Sequence, residues 1–126
     1  MINIIVTGGA GNIGSALVKN LLNKNKYKVI IIDNFVTGKE YKLPSKKNKN
    51  WKLLKININK VSNISKLIKF KKIDYIFHFA GYGELIPSIE KPYLYFKNNA
   101  MNSVLLIEPI RNKKYKIKKF IYAASS

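Results

Sequence analysis

The chain has 126 residues, 47% of them hydrophobic, which is enough for one compact domain and excludes wholesale disorder. It has no cysteine, which excludes a disulfide framework and cysteine-ligated zinc and fits a reducing compartment. The formal net charge of +18 suggests nucleic-acid binding, but the lysines are spread along the whole chain among many Asn and Ile residues, as an AT-rich genome would produce. We therefore interpret the charge as a solvated basic surface, with residues 113–119 as the one tract dense enough for a nucleic-acid patch.

The apolar runs are too short to span a bilayer, as residues 29–32 and 76–80 illustrate. The N-terminus also lacks the basic leader of a signal peptide, because Met1 leads almost directly into the apolar run of residues 4–6. We expect a soluble cytoplasmic protein with no membrane partner.

Apolar segments alternate with amphipathic segments along the chain. Strands are predicted at residues 3–6, 28–32, 51–58, 73–80 and 120–124. Helices are predicted from Asn12 onward, over residues 61–70, and from about Pro92 toward Ile110, with Pro109 ending or kinking the last one. Continuous apolar strands that alternate with helices are typical of a parallel sheet covered on both faces.

The helix that begins at Asn12 has an apolar stripe that we expect to face the core. Its members are Ile13, Ala16, Leu17 and Leu21. Two loops flank later elements, one over residues 33–45 and one over residues 81–87.

Glycines dominate the turn TGGAGNIG between the first strand and the first helix. A diphosphate can approach a backbone closely only where no Cβ intervenes, and the first helical turn offers free N–H groups and a positive dipole end. Because this turn follows a strand and opens a helix, it predicts dinucleotide binding, although a plain strand-to-helix connection can also carry glycine. The predicted cofactor-binding residues here are Gly8, Gly11, Asn12, Ile13 and Gly14.

An acidic residue, Asp33, ends the second predicted strand, 19 positions beyond Gly14. A carboxylate at this position can accept hydrogen bonds from both hydroxyls of the adenosine ribose and would repel a 2′-phosphate. The sequence therefore favours NAD over NADP. The alternative is a loop aspartate that only caps a turn.

Five segments in this order, TGGAGNIG, IIDNFVTGK, HFAG, YFKNNA and FIYAASS, resemble the N-terminal half of an extended short-chain dehydrogenase/reductase. More narrowly, the chain is similar to NAD-dependent epimerases and dehydratases of the UDP-hexose 4-epimerase type. The resemblance implies an α/β fold, a Rossmann-type doubly wound parallel sheet truncated after about the fifth strand. It also implies that residues 1–126 form one incomplete NAD-binding domain without the C-terminal substrate domain.

The resemblance extends the cofactor site beyond the glycine turn and Asp33. It implies that the adenosine end of NAD is held by Asn34, Thr37, Gly38, Asn57 and Ile58. Asn57 stands where the family usually has an aspartate near the adenine. Phe79, Ala80 and Gly81 match the stretch beneath the diphosphate and nicotinamide ribose, and Asn99 matches an asparagine close to the cofactor. His78 belongs to the same motif, but we expect a hydrogen-bonded core histidine there, and no metal site is predicted.

The substrate side of the site is implied by the same resemblance. Ser125 aligns with the family's serine or threonine that hydrogen-bonds the reacting hydroxyl of the sugar, and it is the candidate catalytic residue. The candidate substrate-binding residues are Gly83, Glu84, Ser88 and Ser126.

The family's Tyr-x-x-x-Lys pair belongs on the helix after strand five, which lies beyond Ser126. Two pairs, Tyr93 with Lys97 and Tyr115 with Lys119, have this spacing but precede strand five. We therefore expect residues 1–126 to be the NAD-binding portion of a nucleotide-sugar 4-epimerase, inactive alone, which needs a partner chain or dimer to complete the nucleotide-sugar site. Two alternatives remain open, a nucleotide-sugar 4,6-dehydratase fragment and a non-catalytic nucleotide- or RNA-binding module.

Overall fold

A parallel β-sheet is the centre of the computed structural model, which describes residues 1–58, 60, 72–83, 85–111 and 116–124. Within these residues the strands are β1 (Ile2–Thr7), β2 (Tyr27–Asp33), β3 (Trp51–Lys55), β4 (Tyr75–His78) and β5 (Lys119–Tyr122). Their order across the sheet is β3-β2-β1-β4-β5, and every neighbouring pair is parallel. This is the doubly wound arrangement that the sequence predicts.

Alternate residues of the central strands enter two separate hydrophobic cores, one on each face of the sheet. Ile5 and Ile30 lie opposite each other on one face, and Ile4 and Val29 lie opposite each other on the other face. All four are at most 2% exposed, since strands with helices on both faces have no solvent-facing side.

The two faces are covered by helices from different parts of the chain. Helix α1 (Asn12–Leu22) packs on the face that includes Ile4, and Leu106 of helix α4 (Asn102–Arg111) packs on the face that includes Ile5. The described helices include none that is long and apolar enough to cross a membrane.

The core-facing side of α1 differs from the predicted stripe. The buried residues are Gly14, Ser15, Val18, Leu21 and Leu22. The assignment of Ile13 and Ala16 to the core is wrong, since both are exposed, Ile13 by 68%. Compared with the prediction, the helix is rotated about its axis, because its first turn approaches the glycine turn so closely that only small residues fit there. Such small residues do not stand out in a pattern that is defined by large apolar side chains.

The segment between β4 and β5 is mostly helical. It contains α2 (Leu85–Glu90), α3 (Pro92–Phe96), a π-helical segment (Lys97–Met101) and α4. The helix predicted from Pro92 toward Ile110 is therefore confirmed, with Pro109 inside α4 instead of ending it. The loop predicted over residues 81–87 ends earlier, since α2 begins at Leu85.

The length of each strand is set by how far it pairs with its neighbouring strand, and not by the length of its apolar run. The strands predicted at residues 51–58 and 73–80 are shorter in the structure, because β3 pairs with β2 only as far as Lys55 and β4 pairs with β1 only as far as His78. The helix predicted at residues 61–70 lies outside the described residues.

His78, the only histidine of the chain, is a buried core residue, as predicted. It is 1% exposed, and its ring lies near the rings of Phe120 and Tyr122. Its Nδ1 is 2.6 Å from Thr7 Oγ1 and its Nε2 is 2.7 Å from Ser103 Oγ, so both ring nitrogens have partners. Burial lowers the pKa of His78 to about 4, which keeps the ring neutral near pH 7.

We expect the free energy of unfolding to fall as the pH is lowered from about 6.5 to about 4. In this window the unfolded chain binds a proton at His78 and the folded chain does not, so acid favours unfolding, by up to roughly 3 kcal/mol for this group. Urea unfolding of the wild type and of His78→Gln at a series of pH values would measure it. His78→Gln should be less stable near neutral pH but should lack this part of the pH dependence, and the same pH slope in both proteins would contradict the assignment.

Candidate functional site

A cavity of about 380 Å³ opens at the carboxyl ends of the strands. It is lined by residues that follow β1, β2, β3 and β4, which is where open parallel sheets bind their ligands. The sequence-predicted residues on its wall are Gly8, Gly11, Asn12, Ile13, Gly14, Asp33, Asn34, Thr37, Gly38, Asn57, Ile58, Phe79, Ala80, Gly81 and Gly83.

The glycine turn forms one wall of the cavity. Gly8 has a φ of +70°, and its carbonyl oxygen accepts a hydrogen bond from the N–H of Gly11 at 3.1 Å. A Cβ on Gly14 would lie 2.2 Å from the same oxygen, so α1 can start this close to β1 only with glycine at that position. A Cβ on Gly11 would meet only the Gly8 oxygen, at 3.2 Å, and the space beyond belongs to the cavity.

The first turn of α1 is not capped by a side chain. Gly11 occupies the N-cap position, and the turn contains no acidic residue. The first amide groups of a helix have no partner within it, and they carry the positive end of the helix dipole. This wall therefore offers N–H donors and a positive potential to an anion without using a lysine or arginine.

Asp33 is held in a fixed orientation at the end of β2. Its Oδ2 accepts a hydrogen bond from the N–H of Ala10 at 2.9 Å, and its Oδ1 accepts one from the N–H of Phe35 at 2.8 Å. A Cβ on Gly38 would lie 2.8 Å from Oδ1, so glycine is the residue that fits there. The carboxylate thus holds the loop that follows β2 in place. It also lines the cavity, where each of its oxygens can accept one further hydrogen bond.

The ends of β2 and β3 are joined by two asparagine side chains. The Nδ2 group of Asn34 donates to Asn57 Oδ1 at 2.6 Å, and Asn34 Oδ1 accepts from the N–H of Val36 at 3.1 Å. Between Asn34 and Val36, Phe35 has a φ of +61°, a left-handed conformation that the hydrogen bond to Asp33 stabilises.

The loop after β4 is fixed by the hydroxyl group of Thr7. Its Oγ1 accepts hydrogen bonds from the N–H groups of Phe79 at 3.1 Å and Ala80 at 3.2 Å. Both lone pairs of the hydroxyl are then used, so its proton is donated to Nδ1 of His78. The proton of the histidine therefore sits on Nε2, which donates to Ser103, and Thr7 links the cavity wall to the core.

The helix after the β4 loop contributes different asparagines from the predicted one. Asn99 is not on the cavity wall, but its Oδ1 accepts from the N–H of Tyr82 at 2.7 Å and its Nδ2 donates to the Tyr82 carbonyl at 2.8 Å, which holds the loop. Asn98 and Asn102 line the cavity instead. Their i, i+4 spacing on one helix face is the feature of the sequence that could have identified them.

The predicted substrate residues are only partly brought together. Gly83 lines the cavity, whereas Ser88 lies on α2 away from the wall. Glu84, Ser125 and Ser126 lie outside the described residues. Tyr93, from one of the two Tyr-x-x-x-Lys pairs, is 72% exposed on α3 and does not reach the cavity, and Tyr115 lies outside the described residues.

A second cavity of about 260 Å³ adjoins the first. The two share Gly81–Gly83 and part of the loop after β2, and the second extends to Pro87, Leu94 and Tyr95. Across the described part of the chain, no three His, Asp or Glu side chains come together in a way that could hold a metal ion.

Together, these walls present backbone N–H donors at the end of β1, the carboxylate of Asp33 at the end of β2 and the side-chain amide of Asn57 at the end of β3. That series suits a diphosphate, a ribose diol and a base, in that order. Asp33 is the only charged side chain among the described residues that line the main cavity.

Comparison with known proteins agrees with this geometry. The model of the NAD dependent epimerase/dehydratase family matches residues 4–126. The chain is 35% identical to a putative UDP-glucose 4-epimerase of Methanocaldococcus jannaschii, over 97% of this chain and 37% of that protein. It is 33% identical to the UDP-glucose 4-epimerase of Pasteurella multocida, over 98% of this chain and 36% of that protein.

Solved structures of other proteins are also similar to the chain. The UDP-N-acetylglucosamine 4-epimerase of Methanobrevibacter ruminantium, in complex with UDP-N-acetylmuramic acid, is similar with a TM-score of 0.85 and 34% identity, covering 99% of this chain and 38% of that chain. The enzyme WbmF of Bordetella bronchiseptica, in complex with NAD+, has a TM-score of 0.81 and 30% identity, with 99% and 36% covered. The chain thus spans little more than a third of the length of these proteins.

Substitution of Gly14 by alanine should lower the free energy of unfolding by at least about 2 kcal/mol, because the new methyl group would overlap backbone atoms that cannot move aside cheaply. Gly83→Ala is the matched control, since no atom lies within 4 Å of a Cβ there, and its effect should stay within about 0.5 kcal/mol. Urea unfolding measures both, and equal stability of the two variants would contradict the close contact between α1 and the glycine turn.

Proposed function

Because the chain belongs to the NAD-dependent epimerase/dehydratase family, we propose that residues 1–126 are the NAD-binding portion of a nucleotide-sugar 4-epimerase. The observation that carries the proposal is the cavity in which the glycine turn, Asp33 and Asn57 follow one another at the ends of β1, β2 and β3. The relatives named as UDP-glucose 4-epimerases and the structure solved with NAD+ support it.

The residues of the cavity fit NAD. The uncapped start of α1 and the open space next to Gly11 suit the diphosphate, and the Asp33 carboxylate suits the adenosine ribose. NAD, when bound, would accept a hydride from the fourth carbon of the sugar and return it. The chain's own residues would bind and orient the cofactor, and the β4 loop, held by Thr7 and Asn99, would provide the wall for its nicotinamide end.

We expect residues 1–126 to bind NAD at least about tenfold more tightly than NADP, because the charge of Asp33 would repel a 2′-phosphate and its fixed oxygens suit ribose hydroxyls. Calorimetric titration with both cofactors measures the ratio. Equal or reversed affinities would reject the role assigned to Asp33.

Gly11→Leu tests the diphosphate subsite in the same titration. The Cβ of the new side chain would meet only the Gly8 oxygen, and the rest of the side chain would extend into the space that suits the phosphates, so the fold should survive while NAD binding is lost. A thermal unfolding curve confirms that the variant is folded. Full NAD affinity in a folded Gly11→Leu protein would show that the glycines serve the turn alone.

We further propose that the tyrosine, the lysine and the sugar pocket are supplied by polypeptide outside residues 1–126. Exposed apolar side chains on the helices between β4 and β5 support an interaction there, since large exposed apolar surface can mark a protein interface. These side chains are Ile86, Ile89, Leu94, Phe96, Met101, Val104, Leu105 and Ile107.

Residues 1–126 alone, with NAD added, should not convert UDP-glucose or UDP-N-acetylglucosamine. Acid–base catalysis by a positioned side chain contributes about 10²- to 10⁴-fold, and the exposed Tyr93 is not part of the cavity wall. The assay follows product sugars by chromatography. Turnover that disappears in Tyr93→Phe or Tyr115→Phe would contradict the proposal and identify that tyrosine as the catalyst.

A further inference from the structure

The loop after β2 carries a lysine, Lys42, whose ammonium group reaches the first turn of α1. Lys42 is the last residue of a short 3₁₀-helical turn (Glu40–Lys42) and is half-buried. Its Nζ donates a hydrogen bond to Oδ1 of Asn12. Asn12 is the first residue of α1 and lines the main cavity, so this contact places a cation at the rim of the cavity, beside the glycine turn.

Backbone hydrogen bonds hold the loop where Lys42 can make this contact. The N–H of Lys39 donates to the carbonyl of Ala10 at 3.0 Å, and the N–H of Lys42 donates to the carbonyl of Lys39 at 3.1 Å. The loop is therefore tied to the glycine turn just before Lys42. Because the backbone is already fixed there, only the lysine side chain has to be ordered when it binds a ligand, which keeps the entropic cost low.

The charge of Lys42 is not paired with a carboxylate in the described part of the chain. The ammonium group contacts the neutral oxygen of Asn12 and lies 5.9 Å from the centroid of the Tyr41 ring. The ion pairs among the described residues involve Asp74 and Glu108, and they do not include Lys42. A phosphate oxygen carries negative charge and therefore attracts this ammonium group more strongly than a neutral amide oxygen does.

The ammonium group is close enough to the first turn of α1 to act on an anion bound there. The side-chain oxygen of Asn12, to which it donates, is only a few covalent bonds from the backbone nitrogen of the same residue. Charges interact over roughly 8–10 Å at physiological salt, and the flexible stem of a lysine lets its head group move toward an anion. Lys42 can therefore leave Asn12 and reach a phosphate that the first N–H groups of α1 also bind.

We propose that Lys42 binds the diphosphate of the dinucleotide: its ammonium group, which donates to Asn12 in the structure, donates to a phosphate oxygen in the complex. This inference rests on the proposed NAD-binding function of the cavity. It adds a side-chain cation to a subsite that otherwise consists of backbone N–H groups and the end of α1. The resemblance that implies the other cofactor-binding residues gives no role to Lys42.

A 2′-phosphate on the adenosine ribose is the other anion that a lysine could bind at this cavity, and the contacts favour the diphosphate. Lys42 meets the cavity at the start of α1. Asp33, the residue proposed for the ribose, accepts hydrogen bonds from the N–H groups of Ala10 and Phe35, and among the described residues it forms no ion pair with Lys42. Removal of the Lys42 charge should therefore weaken the binding of NAD and of NADP by the same factor.

Calorimetric titration of NAD into the wild type, Lys42→Met, Lys42→Arg and Lys46→Met tests the inference. Methionine keeps an apolar stem without the charge, and Lys46 is an exposed lysine between β2 and β3 that does not line the cavity. Lys42→Met should bind NAD about fivefold or more weakly, Lys42→Arg within about threefold of the wild type, and Lys46→Met within about twofold. Raising the salt from about 50 mM to about 500 mM should reduce the loss in Lys42→Met to less than about twofold, since salt screens the charge.

The results distinguish a phosphate contact from other roles of Lys42. An equal loss in Lys42→Arg, or a loss that salt does not reduce, would show that the lysine only holds the loop. An equal loss in Lys46→Met would show a general effect of net charge, and a loss for NADP but not for NAD would assign Lys42 to the 2′-phosphate. Each of these would overturn the inference, as would unchanged NAD affinity in a Lys42→Met protein that thermal unfolding shows to be folded. Failure of the wild type to bind NAD at all would instead overturn the proposed function.

Discussion

The hydrogen bond between the Asp33 carboxylate and the backbone of Ala10 is the contact on which the site depends. It joins the end of β2 to the glycine turn after β1, and the carbonyl of Ala10 in turn accepts a hydrogen bond from the N–H of Lys39 at 3.0 Å. Ala10 is completely buried between these partners. Since Asp33 also holds Phe35, one carboxylate fixes the glycine turn and the following loop relative to each other. The geometry that suits a ribose is thus built by the same group that would bind it.

A second set of contacts fixes the opposite wall. Thr7, at the end of β1, accepts from the backbone of the β4 loop and donates to His78, and His78 donates to Ser103 of α4. Ser103 in turn donates to the carbonyl of Asn99 at 2.9 Å, whose side chain holds Tyr82. The polar groups at the carboxyl ends of β1 and β4 are therefore tied into one network that crosses the core. Each buried member has a partner, as the cost of an unpaired buried polar group requires.

The fold and the anion-binding turn could be predicted because they depend on local patterns. Alternation of apolar strands with helices predicts the parallel sheet, and glycine at positions 8, 11 and 14 predicts a close approach of backbone to ligand. The face of α1 could not be predicted in the same way, because the residues that pack most closely, Gly14 and Ser15, are small and not markedly apolar. The i, i+4 spacing pairs Asn98 with Asn102, but which side of the helix faces the cavity depends on the rotation of the helix about its axis, and a short motif does not determine that rotation.

The charge of the chain and the chemistry of its cavity are nearly independent. Although the net charge is +18, the described wall contains no lysine or arginine, and its single charged side chain is acidic. A diphosphate would be bound by backbone amides and the end of α1, which no side-chain substitution on the surface removes. The one arginine of the chain, Arg111, is paired with Glu108 on α4, away from the cavity wall. Apart from Lys42, the positive charge therefore adds a general attraction for anions, and the selection of a ligand is left to the neutral donors and the one carboxylate of the cavity.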